Sequence, residues 1–331
     1  IESNGGTSKI EVNVTKPGKL KKGFKPWIVA SGIAAIVVIA AIATVLISRV
    51  YQPQPTEISA QDHLVMGENY IENKQWDEAI AEFNMAIEID PKLARAYIER
   101  GDALSYKGAS DRAIADYTMA IGLDPNSDKA YLNRGNVYDD KKDYSKAIAD
   151  YTSAITLNPD LAEAYNNRGY AYSESQDYDR AIADYTAAIE LKQDYAEAYY
   201  NRGNAYDKKR EFDSAIDDLN MAVKLDRNAP DTYISRGYVY FETGKYNEAI
   251  DNYDMAINIE PGNAEAFSGR AVVYYEKGKY NDAINDCTTA IELDPLNLKA
   301  FYTRWHAYQN IGEAAKSAAD YAKWKEISNR P

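Results

Sequence analysis

From Ala96 onward the same pattern of side chains returns every 34 residues, and this period constrains the fold more than any other feature of the sequence. Ala96, Ala130, Ala164, Ala198, Thr232, Ala266 and Ala300 stand in register without an insertion. Small residues return with them at Ala79, Ala113, Ala147, Ala181, Ala215, Ala249 and Ala283, and again at Ala86, Ala120, Ala154, Ala188, Ala222, Ala256 and Ala290. Small side chains in register let two helices approach closely. Within a unit, apolar residues such as Ala147, Ile148, Tyr151, Ala154 and Ile155 follow the three-and-four spacing of an amphipathic helix. Pro91, Pro125, Pro159, Pro261 and Pro295 end the second helical run of their units. Each unit therefore reads as two helices. No unit buries its apolar faces alone, so neighbours must stack into a quasi-linear array.

Gly67, Gly101, Gly135, Gly169, Gly203 and Gly237 recur early in the first helix, where glycine costs about 1 kcal/mol relative to alanine and needs a packing reason. Aromatic columns supply one, since a missing Cβ leaves room for a neighbouring ring. One column is Tyr97, Tyr131, Tyr165, Tyr199 and Tyr233, and a second runs from Tyr70 through Tyr138, Tyr172, Tyr206, Tyr240 and Tyr274 to Tyr308. A third is Phe83, Tyr117, Tyr151, Tyr185, Leu219, Tyr253, Cys287 and Tyr321.

This succession of aromatic, Gly, Tyr, Ala, aromatic, Ala and Pro resembles the tetratricopeptide family, column by column in seven successive units across 62–299. The resemblance implies an all-α fold, a right-handed superhelical solenoid of helix-turn-helix repeats over 61–299. It also implies a concave inner face, lined by the first helix of each repeat, that binds peptides or partner proteins. Departures are local: Gln193 and Arg227 replace the closing proline, Leu104 the tyrosine and Ala271 the glycine. Over 300–331 the sequence predicts a partial repeat, with Trp305 in the glycine column, and a capping helix from Glu313 to Ile327 that covers the last apolar face.

Upstream of the repeats, no residue from Trp27 to Ile47 is charged, and as a helix this run is roughly 31 Å long, enough to cross a hydrocarbon core. The sequence predicts a single transmembrane helix over 27–48. A cleaved signal peptide is the rival reading, but the run exceeds the usual apolar core of a signal, and the triplet Ala41-Ile42-Ala43 lies inside it. Lys9, Lys16, Lys19, Lys21, Lys22 and Lys25 precede the span, while Arg49 alone follows closely, so the basic tail 1–26 is expected in the cytoplasm and the repeats across the membrane, in the periplasm or outside the cell. Residues 49–60, with Pro53 and Pro55, read as an extended linker.

Charge narrows the function classes. The net charge is -13 although the tail is basic, so the repeat region is acidic and repels phosphate backbones, which argues against nucleic-acid binding. Cys287 is the single cysteine and cannot form an internal disulfide. His63 and His306 lie at opposite ends of the array, and His63 and Cys287 both fall in core columns, so they read as packing residues. Asp124, Asn126 and Asp128 faintly suggest a calcium loop, but Lys129 stands where its glycine belongs. No phosphate loop, nucleophile elbow or isolated carboxylate pair is present, so neither cofactor nor catalysis is expected. The basic column Arg100, Arg134, Arg168, Arg202, Arg236, Arg270 and Arg304 runs beside Asp116, Asp150, Asp184, Asp218, Asn252, Asp286 and Asp320, and reads as repeated helix-tying pairs in preference to a phosphate ladder.

The candidate binding residues are those placed on the groove side of the first helices: Tyr106, Tyr170, Tyr200, Tyr238, Tyr275 and Tyr302, with Asn133, Asn136, Asn167, Asn201, Asn204 and Asp207. Tyrosine offers contact area at low entropic cost. In the family, asparagine at such positions often holds a ligand's backbone amides. Carboxylates here, including Asp139, Asp140 and Glu174, would select basic segments; a solvated polar face is the plain alternative. The expected function is a membrane-anchored scaffold or adaptor for partner proteins. The alternative is the sensing or regulatory domain of a longer protein whose N-terminal cytoplasmic part carries a kinase or a zinc ribbon.

Overall fold

The computed structural model describes residues 37–44 and 58–329. Residues 37–44 form an exposed helical stretch, α1. Most of the expected transmembrane helix, the basic tail and most of the linker lie outside the described residues. Among the described residues, no helix is long and apolar enough to cross a membrane.

Ser59–Pro331 is a compact unit of its own. It consists of helical hairpins, beginning with α2 (Ala60–Glu72) and α3 (Trp76–Ile89), then α4 (Ala94–Tyr106) and α5 (Ser110–Leu123), α6 (Asp128–Asp140) and α7 (Tyr144–Leu157), and α8 (Ala162–Glu174) and α9 (Tyr178–Leu191). The series continues with α10 (Ala196–Lys208) and α11 (Phe212–Leu225), α12 (Pro230–Glu242) and α13 (Tyr246–Ile259), α14 (Ala264–Glu276) and α15 (Tyr280–Leu293), and closes on α16 (Leu298–Asn310) and α17 (Ala314–Ser328). Each helix packs on its neighbours in sequence. Consecutive even-numbered helices from α2 to α16 also touch, whereas no two odd-numbered helices do. Elements that touch across every repeat lie on the inside of the curve, so the first helices form the concave face and the second helices the convex one.

The glycine column answers the ring column. A Cβ on Gly135 would lie 2.7 Å from Cε1 of Tyr151, and one on Gly67 would lie 2.4 Å from Cε1 of Phe83. In the seventh hairpin the pair changes on both sides, Ala271 facing the smaller Cys287, both fully buried, which conserves volume. The turn inside each hairpin needs a left-handed residue: Gly108, Gly244, Gly278 and Gly312 adopt it freely, while Lys74, Lys142, Gln176 and Arg210 adopt it at φ between 57° and 63°. The turns at Gln193 and Arg227 keep the geometry of those closed by proline. Lys192 and Asp226 cap α9 and α11 with the same extended geometry as Asn158 caps α7.

The arginine column ties three helices at each step. Arg168 donates from Nε and Nη2 to Asp184 at 2.7 and 2.8 Å and from Nη1 back to Thr152 at 3.0 Å, joining α8 to α9 and to α7. The same guanidinium lies 5.6 Å from the centre of the Tyr165 ring. Arg236 departs from the pattern, meeting Asn252 in place of an aspartate. The His63 side chain is 11% exposed, and its Nδ1 lies 2.6 Å from Glu82 Oε2. The last hairpin also differs from expectation. Trp305 occupies the place where a glycine would admit Tyr321, so Tyr321 is 40% exposed while Tyr151 and Tyr185 are 1% exposed. α17 packs on α16 and leaves Tyr321 exposed beside the half-buried Trp305 and Trp324.

Candidate binding face

The floor of the concave face is a ladder of asparagines and core tyrosine hydroxyls. Tyr117 donates to Asp102 at 2.7 Å, and Asn133 donates to the same carboxylate oxygen at 2.6 Å. One repeat on, Tyr151 and Asn167 both donate to Asn136 Oδ1 at 2.9 Å. Asn201 then donates to Asn166 at 3.2 Å, and Asn166 donates to Glu197 at 3.2 Å. Asn133, Asn136, Asn167 and Asn201 are thus partly committed within the floor, to Asp102, to one another or to Asn166. Among the described residues Asn204 makes no hydrogen bond through its side chain and keeps its full capacity, two donors and an acceptor.

Two cavities open along this floor. The larger, about 490 Å³, gathers six of the sequence-predicted residues, Tyr170, Tyr200, Asn201, Asn204, Asp207 and Tyr238. It opens where the asparagine column gives way to Ser235 and Gly269, and at Gly269 the Tyr253 ring occupies the room that a side chain would need. The smaller, about 350 Å³, holds Asn136, Asn167 and Tyr170 together with Asp139, Asp140 and Glu197. Tyr170 stands between the two.

The remaining predicted residues lie elsewhere. Tyr106 is 70% exposed and stacks on Trp76 with ring centroids 4.7 Å apart. Tyr275 packs against Tyr280 and His306, and Tyr302 against His306, Trp305 and Trp324, in a C-terminal aromatic cluster. Sequence reasoning missed Tyr178, Glu265 and Lys299, which line the larger cavity, and Asn166 and Glu197, which line the smaller. For Glu197, Glu265 and Lys299 a signal was available: residues 129, 163, 197, 231, 265 and 299 form one column, which reads Lys, Glu, Glu, Asp, Glu, Lys.

Electrostatics mark the same ground. Burial, reinforced by Asp140 and Glu174, pushes the Asp139 carboxyl up to about 6, and its Oδ1 is buried without a hydrogen-bond partner. Burial also raises the Asp207 carboxyl, with Lys208 opposing and Glu242 adding to the rise. The Tyr170 and Tyr238 hydroxyls are held above the ordinary tyrosine range by burial and then by neighbouring carboxylates. Among the described residues, no group of histidine, cysteine and carboxylate side chains is placed to hold a metal ion.

Sequence models and solved structures agree with this architecture. A family model described as TPR repeat matches residues 67–108, 101–142, 135–176, 172–209 and 237–278, and one described as Tetratricopeptide repeat matches 196–229 and 264–297. No curated protein matches the sequence. Among solved structures, a tetratricopeptide repeat protein from Parabacteroides merdae is 17% identical, covers 75% of this chain and 98% of its own, and superposes with a TM-score of 0.59. The APC/C hetero-tetramer Cut9-Hcn1 is 17% identical over 82% of this chain and 52% of the other, with a TM-score of 0.60. YrrB, a TPR protein with an unusual peptide-binding site, is 26% identical over 56% of this chain and 95% of its own, with a TM-score of 0.49. The first two are alike in fold.

Proposed function

Because this chain belongs to the tetratricopeptide repeat family, whose models match most of its length, we propose that it is a membrane-anchored scaffold that captures a segment of a partner protein on its concave face. The observation that carries the reading is the larger cavity. An array built only to be stiff would keep its floor filled, as Asn133 and Tyr117 do over Asp102. Here the ladder is interrupted at Ser235 and Gly269, and six tyrosines line the cavity. Amphipathic rings around an open, polar-floored depression suit a protein segment whose backbone amides meet asparagine and whose side chains meet tyrosine. The acidic surroundings favour a segment carrying basic residues.

The anchor is the uncharged run from Trp27 to Ile47, and the lysines before it set the tail in the cytoplasm and the repeats on the other side. Protease added outside spheroplasts or right-side-out vesicles tests this orientation: it should degrade the repeats and spare the tail, and the reverse pattern would refute it. The binding role is tested by capture from detergent-solubilised membranes with the full chain as bait, beside Tyr170→Ala/Tyr200→Ala/Tyr238→Ala. A partner retained by the parent and lost by the triple variant supports the reading, and an identical set from both baits overturns it.

A further inference from the structure

Four buried members of the ring column carry a hydroxyl, Tyr117, Tyr151, Tyr185 and Tyr253. Three of them meet a polar partner inside the fold. Tyr117 donates to Asp102 at 2.7 Å and Tyr151 to Asn136 at 2.9 Å, the acceptor standing fifteen residues earlier in each case. Tyr185 has Tyr170 at that position and finds the Ser173 side chain instead. Tyr253 has neither partner. Tyr238 stands fifteen residues before it, with its own hydroxyl toward Glu242, and Phe241 takes the place of Ser173. Among the described residues the Tyr253 hydroxyl enters no hydrogen bond, although the residue is only 3% exposed.

Packing does not require this hydroxyl, since Phe83 fills the same column against Gly67 without one. The neighbouring glycines show where the ring has gone. A Cβ on Gly237, in the same hairpin, would lie 3.2 Å from the Tyr253 ring, but one on Gly269, in the next hairpin, would lie 2.5 Å from Cε1 and 3.0 Å from the hydroxyl oxygen. Gly269 holds the column position of Asn133, Asn167 and Asn201. Tyr253 therefore leans from the core into the room of a missing asparagine and becomes part of the lining of the larger cavity, which it shares with the unpartnered Asn204 amide. Burial, and then Glu265, hold its proton well above the ordinary tyrosine range, so the hydroxyl stays a donor. A nearly buried donor without an acceptor is costly, and an acceptor brought from outside removes the cost.

Resting on the concave-face reading above, we propose that Tyr253 is a ligand-binding residue whose hydroxyl donates to a backbone carbonyl of the captured segment, while Asn204 meets the adjoining peptide unit. Glu174, Asp207 and Glu265 outnumber Lys208 and Lys299 in the lining, which disfavours a carboxylate or phosphate as the acceptor and leaves a neutral one. A peptide group presents one acceptor and one donor, the complement of a phenol beside a carboxamide.

The test is NMR of the full chain in detergent, with tyrosine labelled with carbon-13 at Cζ. The resonances of Tyr253 and Tyr117 are those missing from Tyr253→Phe and Tyr117→Phe. The probes are N-acetylglycine N-methylamide, an uncharged mimic of two peptide units, and methyl glucoside, an uncharged polar solute without one. The Tyr253 resonance should shift saturably with the peptide mimic, with a Kd on the order of millimolar, weakened about tenfold in Asn204→Ala, while the Tyr117 resonance stays in place. Tyr253→Phe should keep or raise the melting temperature, whereas Tyr117→Phe, which loses the bond to Asp102, should lower it by about 2 °C. An unmoved Tyr253 resonance, an equal response to methyl glucoside, or a fall in melting temperature matching that of Tyr117→Phe would overturn the proposal. Failure here combined with partner loss in the triple tyrosine variant removes the role of Tyr253 and leaves the scaffold reading standing. Success here with partner capture unaffected by the triple variant keeps the peptide-binding hydroxyl and removes the scaffold reading.

Discussion

Arg134 grips Asp150, sixteen residues later in sequence, through two parallel hydrogen bonds of 2.8 Å, and reaches Thr118, sixteen residues earlier, through a third of 2.9 Å. The symmetric reach follows from the repeat: a first helix lies between the second helix of its own hairpin and that of the hairpin before. With Asp150 almost fully buried, removing the arginine leaves an uncompensated charge. Arg134→Ala should therefore cost about 3 kcal/mol, while Arg134→Met with Asp150→Leu should recover most of that loss. Thermal denaturation followed by circular dichroism reads both. A negligible loss in Arg134→Ala would show that the column does not hold the hairpins together.

Glycines in this chain separate into those that make room and those that do not. In Gly135→Ala the new methyl meets the Tyr151 ring at 2.7 Å, and the clash should cost about 2 kcal/mol, more than the gain in helix propensity. Gly122 lies inside α5 with nothing within 4 Å of its missing Cβ. Gly122→Ala should stabilise by up to about 1 kcal/mol. Opposite signs for the two variants are the expected outcome.

The hairpin turns offer a stabilising change. Gln176 is held at φ 63° where Gly244 occupies the corresponding position at φ 73°. Gln176→Gly should gain about 0.5 kcal/mol, the relief of left-handed strain less the entropy that glycine adds to the unfolded chain. Gly244→Ala should lose a comparable amount, and because no atom lies within 4 Å of its missing Cβ, that loss reports backbone conformation alone.

How much of this was legible in the sequence depended on whether the repeat was kept or broken. The hairpins, the ring-into-glycine packing at Gly135 and Tyr151, and the pairing of Arg134 with Asp150 follow from columns that never change register. Tyr321 misled, because its column says buried and only the bulk of Trp305 opposite turns it outward. Tyr275 and Tyr302 lie in the C-terminal aromatic cluster with His306 and Trp324, away from the two cavities, a grouping that depends on residues breaking the repeat. The turn residues Lys142 and Gln176 carried no glycine to announce a left-handed backbone. The smaller cavity depends on side-chain reach between repeats, which period alone does not give.

Asp139 provides a pH test of the binding face. Its carboxyl is raised to about 6 in the folded protein, so the folded state holds the proton more tightly than the unfolded chain does. Its charge therefore opposes folding above pH 6, and the opposition fades as pH falls towards the unfolded value near 4. Asp139→Asn should stabilise the protein at pH 7.5 by about 1 kcal/mol after discounting for solvent screening, and by little at pH 4.5. An equal effect at both pH values would show that the side chain is not strained by burial. A residue that lowers stability at neutral pH fits a surface kept for binding.

The central claim, that the concave face receives a partner segment, is tested most directly by placing a photo-cross-linking amino acid in the full chain in native membranes, once at Asn204 in the larger cavity and once at Met119 on the outer surface of α5. The account predicts a discrete cross-linked partner from position 204 and none from 119. The same partner from 119 with none from 204 would contradict it.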